Sequence, residues 1–107
     1  MSDAGKKYIS TSKQRAYLKS LAMSENSIFQ VGKQTLTPEL TEAVSEALAK
    51  RELVKISVLK NCGDDPQEIA EALAGRTRSE LVQVIGKKIV LYRPAKIPEK
   101  RKIILPK

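Results

Sequence analysis

Apolar positions recur along this chain with two periods, and the switches between them divide it into elements. Tyr17, Leu18, Leu21 and Ala22 fall at helical spacing, which predicts a first helix over Ser12–Met23, with Ser10-Thr11-Ser12 offering cap candidates. After the polar connection Ser24–Ser27, the run Ile28–Val31 reads as a first strand that stops at Gly32. Gly32-Lys33-Gln34-Thr35 then forms a turn. Thr37 can cap a second helix and Pro38 suits its first position, where the missing N–H would go unbonded anyway. That helix runs to about Arg51, with Leu40, Ala43, Val44, Ala47 and Leu48 as its inward stripe. The period then changes to two: over Glu52–Lys60, Val54, Ile56 and Val58 alternate with Lys55 and Ser57, the mark of a second strand.

Asn61–Asp64 is a turn, and Asp65-Pro66-Gln67-Glu68 joins a cap residue, a first-position proline and a capping-box glutamate. The third helix carries Ile69, Ala72 and Leu73 inward, and Gly75 is its expected stop. Leu81–Ile85 and Ile89–Arg93 flank Gly86-Lys87-Lys88 as a hairpin. The order α-β-α-β-α-β-β predicts a two-layer α/β sandwich with a four-stranded mixed sheet. Residues 1–9 read as a flexible leader, 10–94 as the folded domain, and 95–107 as a basic, proline-containing tail that is extended and mobile. Within that tail Ile103-Ile104-Leu105 is an apolar clip for the domain or a partner.

Charge changes this picture more than composition does. The net charge of +8 is concentrated at the two ends: residues 1–19 carry +4 and 87–107 carry +7, whereas 37–86 carry −3. Solubility alone does not require such segregation; a polyanionic partner would benefit from it. No apolar run approaches the roughly 18 residues of a membrane span, and the first residues lack the apolar core of a signal peptide. With one cysteine, Cys62, no internal disulfide forms, which suits a reducing, cytoplasmic setting. A monomer is expected, with no membrane and no small-molecule substrate.

The sequence has no histidine, the commonest general base and zinc ligand. No catalytic residue, metal site or cofactor is therefore assigned. Asp64, Asp65 and Glu68 are the one acidic cluster of magnesium-binding type, but helix capping already accounts for Asp65 and Glu68. Cys62 has no nearby base. Gly32-Lys33 is not a nucleotide-binding P-loop, which needs a second glycine before the lysine and Ser or Thr after it. Tyr8, Tyr17, Phe29 and Tyr92 do not compose the paired stacking motif of the common four-stranded RNA-binding sheet.

Four blocks in order, SKQRAYLKSLA (12–22), IFQVGKQTLTPEL (28–40), EALAKRELVKISVL (46–59) and LVQVIGKKIVLYRP (81–94), resemble the CRM domain family, specifically its small stand-alone bacterial YhbY-like members. The resemblance implies an α/β sandwich like the C-terminal domain of translation initiation factor 3. It also implies binding to structured RNA and a role in maturation of the large ribosomal subunit; plant relatives act in group II intron splicing. Family members carry a Gly-x-x-Gly turn that clamps nucleic-acid backbone, as in KH domains. The matching positions are Gly32, Lys33, Gln34 and Thr35, so threonine stands where the second glycine is expected. A positive φ there would strain a β-branched residue.

The leading expectation is an RNA-binding protein whose partner is ribosomal RNA or a pre-ribosomal particle. Lys33 in the turn and Lys13, Arg15 and Lys19 on the first helix would form one cradle, with Lys87, Lys88, Arg93 and the tail adding diffuse attraction. A protein-binding adaptor using the tail on an acidic partner is the alternative. A magnesium-dependent nuclease built on Asp64, Asp65 and Glu68 is the third.

Overall fold

The computed structural model describes residues 7–107. Its elements are α1 (Ser12–Met23), β1 (Phe29–Val31), α2 (Pro38–Arg51), β2 (Leu53–Val58), α3 (Pro66–Thr77), β3 (Glu80–Ile85) and β4 (Lys88–Tyr92), followed by one 3₁₀ turn at Pro98–Lys100. The predicted order of helices and strands is the observed one. Thr11 caps α1 by accepting from the Gln14 N–H, and Thr37 caps α2 by accepting from the Leu40 N–H at 3.1 Å. Asp65 occupies the cap position of α3, but its side chain makes no capping bond.

The strands form one mixed sheet in the order β1-β2-β4-β3. β1 runs parallel to β2, as the α2 crossover requires, and the other two pairings are antiparallel. Gly86 opens the two-residue β3–β4 loop with φ 57°, a position that suits glycine. A bulge between Leu81 and Gln83 takes Val82 out of the ladder register.

The layering differs from expectation. Val54, Ile56, Val58, Ile89 and Leu91 pack against Val44 and Leu48 of α2 and Ile69 and Leu73 of α3. The alternate positions Leu53, Val90 and Tyr92, with Val82 at the bulge, meet Leu18 and Ala22 of α1 in another core. The sheet is therefore covered on both faces: the expected α2/α3 layer on one, and a third layer of α1 and the C-terminal segment on the other. Each fully buried Leu or Ile contributes roughly 1.5–3 kcal/mol, so both cores matter. The alternation in β2 distinguishes two faces correctly, but Lys55 and Ser57 suggest that the polar one meets solvent. Instead Lys55 Nζ donates to the Ala22 and Glu25 carbonyls at 3.3 and 3.4 Å, satisfying the C-terminal end of α1.

Three further expectations are corrected. α3 passes through Gly75 and ends at Arg78, which takes the left-handed conformation (φ 55°, ψ 39°) that glycine usually supplies. Thr77 Oγ1 donates to the Leu73 carbonyl at 2.7 Å and pairs with Ser79 Oγ at 2.8 Å, so the last turn is fixed from inside. The C-terminal segment, expected to be mobile, is held against the domain. Ile103 and Leu105 join the α1-side core, and Gln14 donates to the Pro106 carbonyl at 2.9 Å. Of the expected leader, residues 1–6 lie outside the described residues, whereas Tyr8 and Ile9 pack against that same core.

The anchor of the C-terminal segment is Glu52. It caps α2 with φ 67°, is 1% exposed, and its carboxylate accepts from the backbone N–H groups of Ala95, Lys102 and Ile103 at 2.7, 2.7 and 2.9 Å. A buried carboxylate with three N–H donors is satisfied rather than stranded.

Candidate nucleic-acid interface

Because β1 and β2 are parallel and β4 starts beside the end of β2, three connections gather at one end of the sheet. They are the Gly32–Thr37 turn, the Leu59–Asp65 loop and the Gly86-Lys87 hairpin. The Leu59 N–H donates to the Val31 carbonyl at 2.8 Å, and the Val58 N–H to the Lys87 carbonyl at 2.7 Å, tying all three together. Lys33, Lys60, Lys87 and Lys88 stand exposed along this rim. Lys88 Nζ reaches Ser57 Oγ at 2.6 Å. Arg15–Glu80 is the one ion pair among the described residues, so no carboxylate is paired with a rim lysine. Helices α2 and α3 both begin here and aim their N-terminal ends at the rim.

The turn itself closes with the Thr35 N–H donating to the Gly32 carbonyl at 2.9 Å. Thr35, at φ 53°, carries the left-handed conformation, whereas Gly32 does not. A Cβ at Gly32 would meet Asn61 Oδ1 at 3.4 Å and Leu59 Cδ1 at 3.5 Å, ordinary contact distances. The conformational load thus falls on the position where this chain has threonine. Asp64 and Glu68 flank the turn beside Thr35 and Leu36 across a shallow pocket of about 270 Å³. Among the described residues no three His, Cys, Asp or Glu side chains converge as a metal site.

The single cradle expected from sequence is not formed. α1 crosses the sheet face opposite α2 and approaches β3, the edge strand farthest from β1. Arg15 sits against the beginning of β3, while Lys33 follows the end of β1, so the two occupy opposite edges and opposite ends of the sheet. Arg15 Nη1 donates to the Leu81 and Val82 carbonyls at 2.9 and 2.7 Å, and Nη2 meets Glu80 Oε2 at 3.0 Å. Its guanidinium is a strap across the bulge. Arg93 is likewise committed: Nη1 donates to Ser45 Oγ and the Thr77 carbonyl, and Nη2 to the Ser45 carbonyl. Burial pushes its pKa below the ordinary arginine value, partly offset by Tyr8. Lys13 and Lys19 are exposed on α1. Gln34 is exposed beside Lys33. Lys60 is the rim lysine sequence reasoning passed over; pairing β1 and β2 as parallel neighbours would have placed its loop beside Gly32.

The signature of the CRS1 / YhbY (CRM) domain matches residues 11–93. The probable RNA-binding protein YqeI of Bacillus subtilis is 47% identical over 96 residues, covering 90% of this chain and 98% of the relative. This chain belongs to the CRM domain family. A relative from Haemophilus influenzae, named RNA-binding protein, is 35% identical over 97 residues, covering 91% of this chain and 95% of its own. The solution structure of the hypothetical protein SAV1595 from Staphylococcus aureus superposes with a TM-score of 0.74 at 46% identity, covering 92% of this chain and all of its own. The four-stranded sheet with three helices is thus the fold of a solved relative as well.

Proposed function

We propose that this CRM domain binds structured ribosomal RNA through the rim of Lys33, Lys60, Lys87 and Lys88, as a monomeric, cytoplasmic factor in large-subunit assembly that performs no catalysis. The observation that carries the reading is the convergence of three lysine-bearing connections at the end of the sheet where two helices begin. Backbone N–H groups, helix dipoles and flexible ammonium groups there all favour phosphate. The names of the relatives support RNA as the partner, and the resemblance supports the ribosomal target. Shape rather than base identity is the basis of selection, since among the described residues no exposed aromatic pair stands on the rim to stack bases. The adaptor reading loses support because Ile103 and Leu105 are packed into the domain's own core.

Filter binding to ribosomal RNA fragments over a salt series tests this. Lys33→Ala and Lys60→Ala should each weaken binding several-fold and lower the salt slope by about one phosphate contact. A salt-independent affinity, or variants indistinguishable from the parent chain, would refute it.

A further inference from the structure

At the other end of the sheet lies a second basic concavity, of about 740 Å³, between the C-terminal halves of α2 and α3 and the docked segment after β4. Arg76, Arg78, Arg93, Lys96, Lys100 and Arg101 line it, and no carboxylate does among the described residues. Part of this charge is structural. Arg76 lies in the last turn of α3, where a cation complements the helix dipole, and Arg93 is bonded to Ser45 and Thr77. Arg101 Nε donates to the Ala95 carbonyl at 2.8 Å. Arg78, at the C-cap of α3, shares that dipole account, whereas folding gives none for Lys96 and Lys100; none of the three forms an ion pair among the described residues.

Glu99, on the 3₁₀ turn beside Lys100, forms no ion pair among the described residues, and the two buried acids nearby are turned elsewhere. Glu52 is enclosed and turned to backbone N–H groups, and Glu80 accepts from the Tyr8 and Ile9 N–H groups and from Arg15. The volume is within the range of about 300–1,000 Å³ typical of ligand clefts. Six cations lining one groove without a carboxylate fit a chain of phosphates better than any neutral ligand.

We infer that this groove holds the phosphate backbone of a second RNA segment, so that one chain bridges two pieces of RNA from opposite ends of its sheet. The inference rests on the RNA reading of the rim. β2 spans six residues, which separates the two ends by about 20 Å. No single phosphate touches both, and one segment does so only by running that distance along the molecule, which saturation at one duplex would reveal. Two segments, each held at its own end, satisfy both charge clusters without bending either.

Donor-labelled and acceptor-labelled 16-base-pair RNA duplexes, mixed with the full chain, test the bridge by energy transfer. The parent chain should bring the two labels together and bind two duplexes at saturation. The triple variant Arg78→Gln/Lys96→Gln/Lys100→Gln, checked for an unchanged melting temperature, should lose the energy transfer while keeping one duplex within about twofold of the parent affinity. Lys33→Gln/Lys87→Gln should also lose energy transfer but keep a duplex at the groove. A parent chain that saturates at one duplex without energy transfer overturns the bridge and leaves the rim reading intact. Energy transfer that persists in the groove variant overturns it as well. A parent chain that binds no duplex overturns both readings.

Discussion

Lysines dominate one end of the sheet and arginines the other. At the rim, Lys33, Lys60 and Lys87 project from turns, and acidic side chains at Asp64 and Glu68 share the neighbourhood. Around the groove, guanidinium groups sit at helix ends and against a docked segment, with carboxylates absent from the lining among the described residues. Lysine is a mobile point charge; arginine is a planar fork that also ties backbone carbonyls together. Arg15 and Arg93 show what that means for reading charge as function: both are structural ties first. A count of cations does not find an anion site. Which cations have no other employment does.

The comparison is most sharply broken at Glu52, which holds the wall of the groove. Glu52→Ala removes three charge-assisted hydrogen bonds and should cost about 3 kcal/mol in urea unfolding, with faster amide exchange at Lys102 and Ile103. Rim binding of RNA should survive in whatever fraction stays folded. Arg15→Ala should cost about 2 kcal/mol by opening the α1–β3 strap, with RNA affinity per folded molecule unchanged. Reduced affinity at equal stability would return Arg15 to the interface.

On the rim, Thr35→Gly relieves a left-handed β-branched residue but adds chain entropy to the unfolded state. A net gain of at most about 1 kcal/mol is expected, read by denaturant titration. The smallest effect concerns pH. Burial raises the Tyr92 hydroxyl above its ordinary value, with Glu52 adding to the rise and Arg101 opposing it. The folded state therefore holds that proton more tightly than the unfolded state. The contribution is complete below a pH of about 10 and is lost as pH rises through the folded value. Tyr92→Phe should flatten the decline in stability above that pH, and an identical slope in both proteins would remove Tyr92 as its source.

The elements are legible in the sequence because caps, prolines and periods agree at each boundary, as at Thr37-Pro38. Legibility fails where one signal has to decide alone. Gly75 has the residue type of a helix stop, yet Arg78 takes the left-handed position because Thr77 and Ser79 hold the turn from within. Lys55 and Ser57 have the polarity of an open face, when α1 lies across it and uses the Lys55 ammonium as a cap. The rim residues Gly32–Thr35, Lys87 and Lys88 are readable as turn residues with charge. The cradle with α1 is not: periodicity gives the face a helix buries, never which side of a sheet receives it. Lys60 needs the pairing of β1 with β2, a fact that resides in topology.

Glu52 also sets an order of events for a chain leaving the ribosome. Its carboxylate lies beside β2, but two of its three donors, Lys102 and Ile103, are fifty or more positions downstream. Until those residues emerge, the sheet can pair and α2 can dock, while one core face lacks Ile103 and an acid waits without its partners. A chain ending before Lys102 should therefore lack these bonds and leave that core face incomplete.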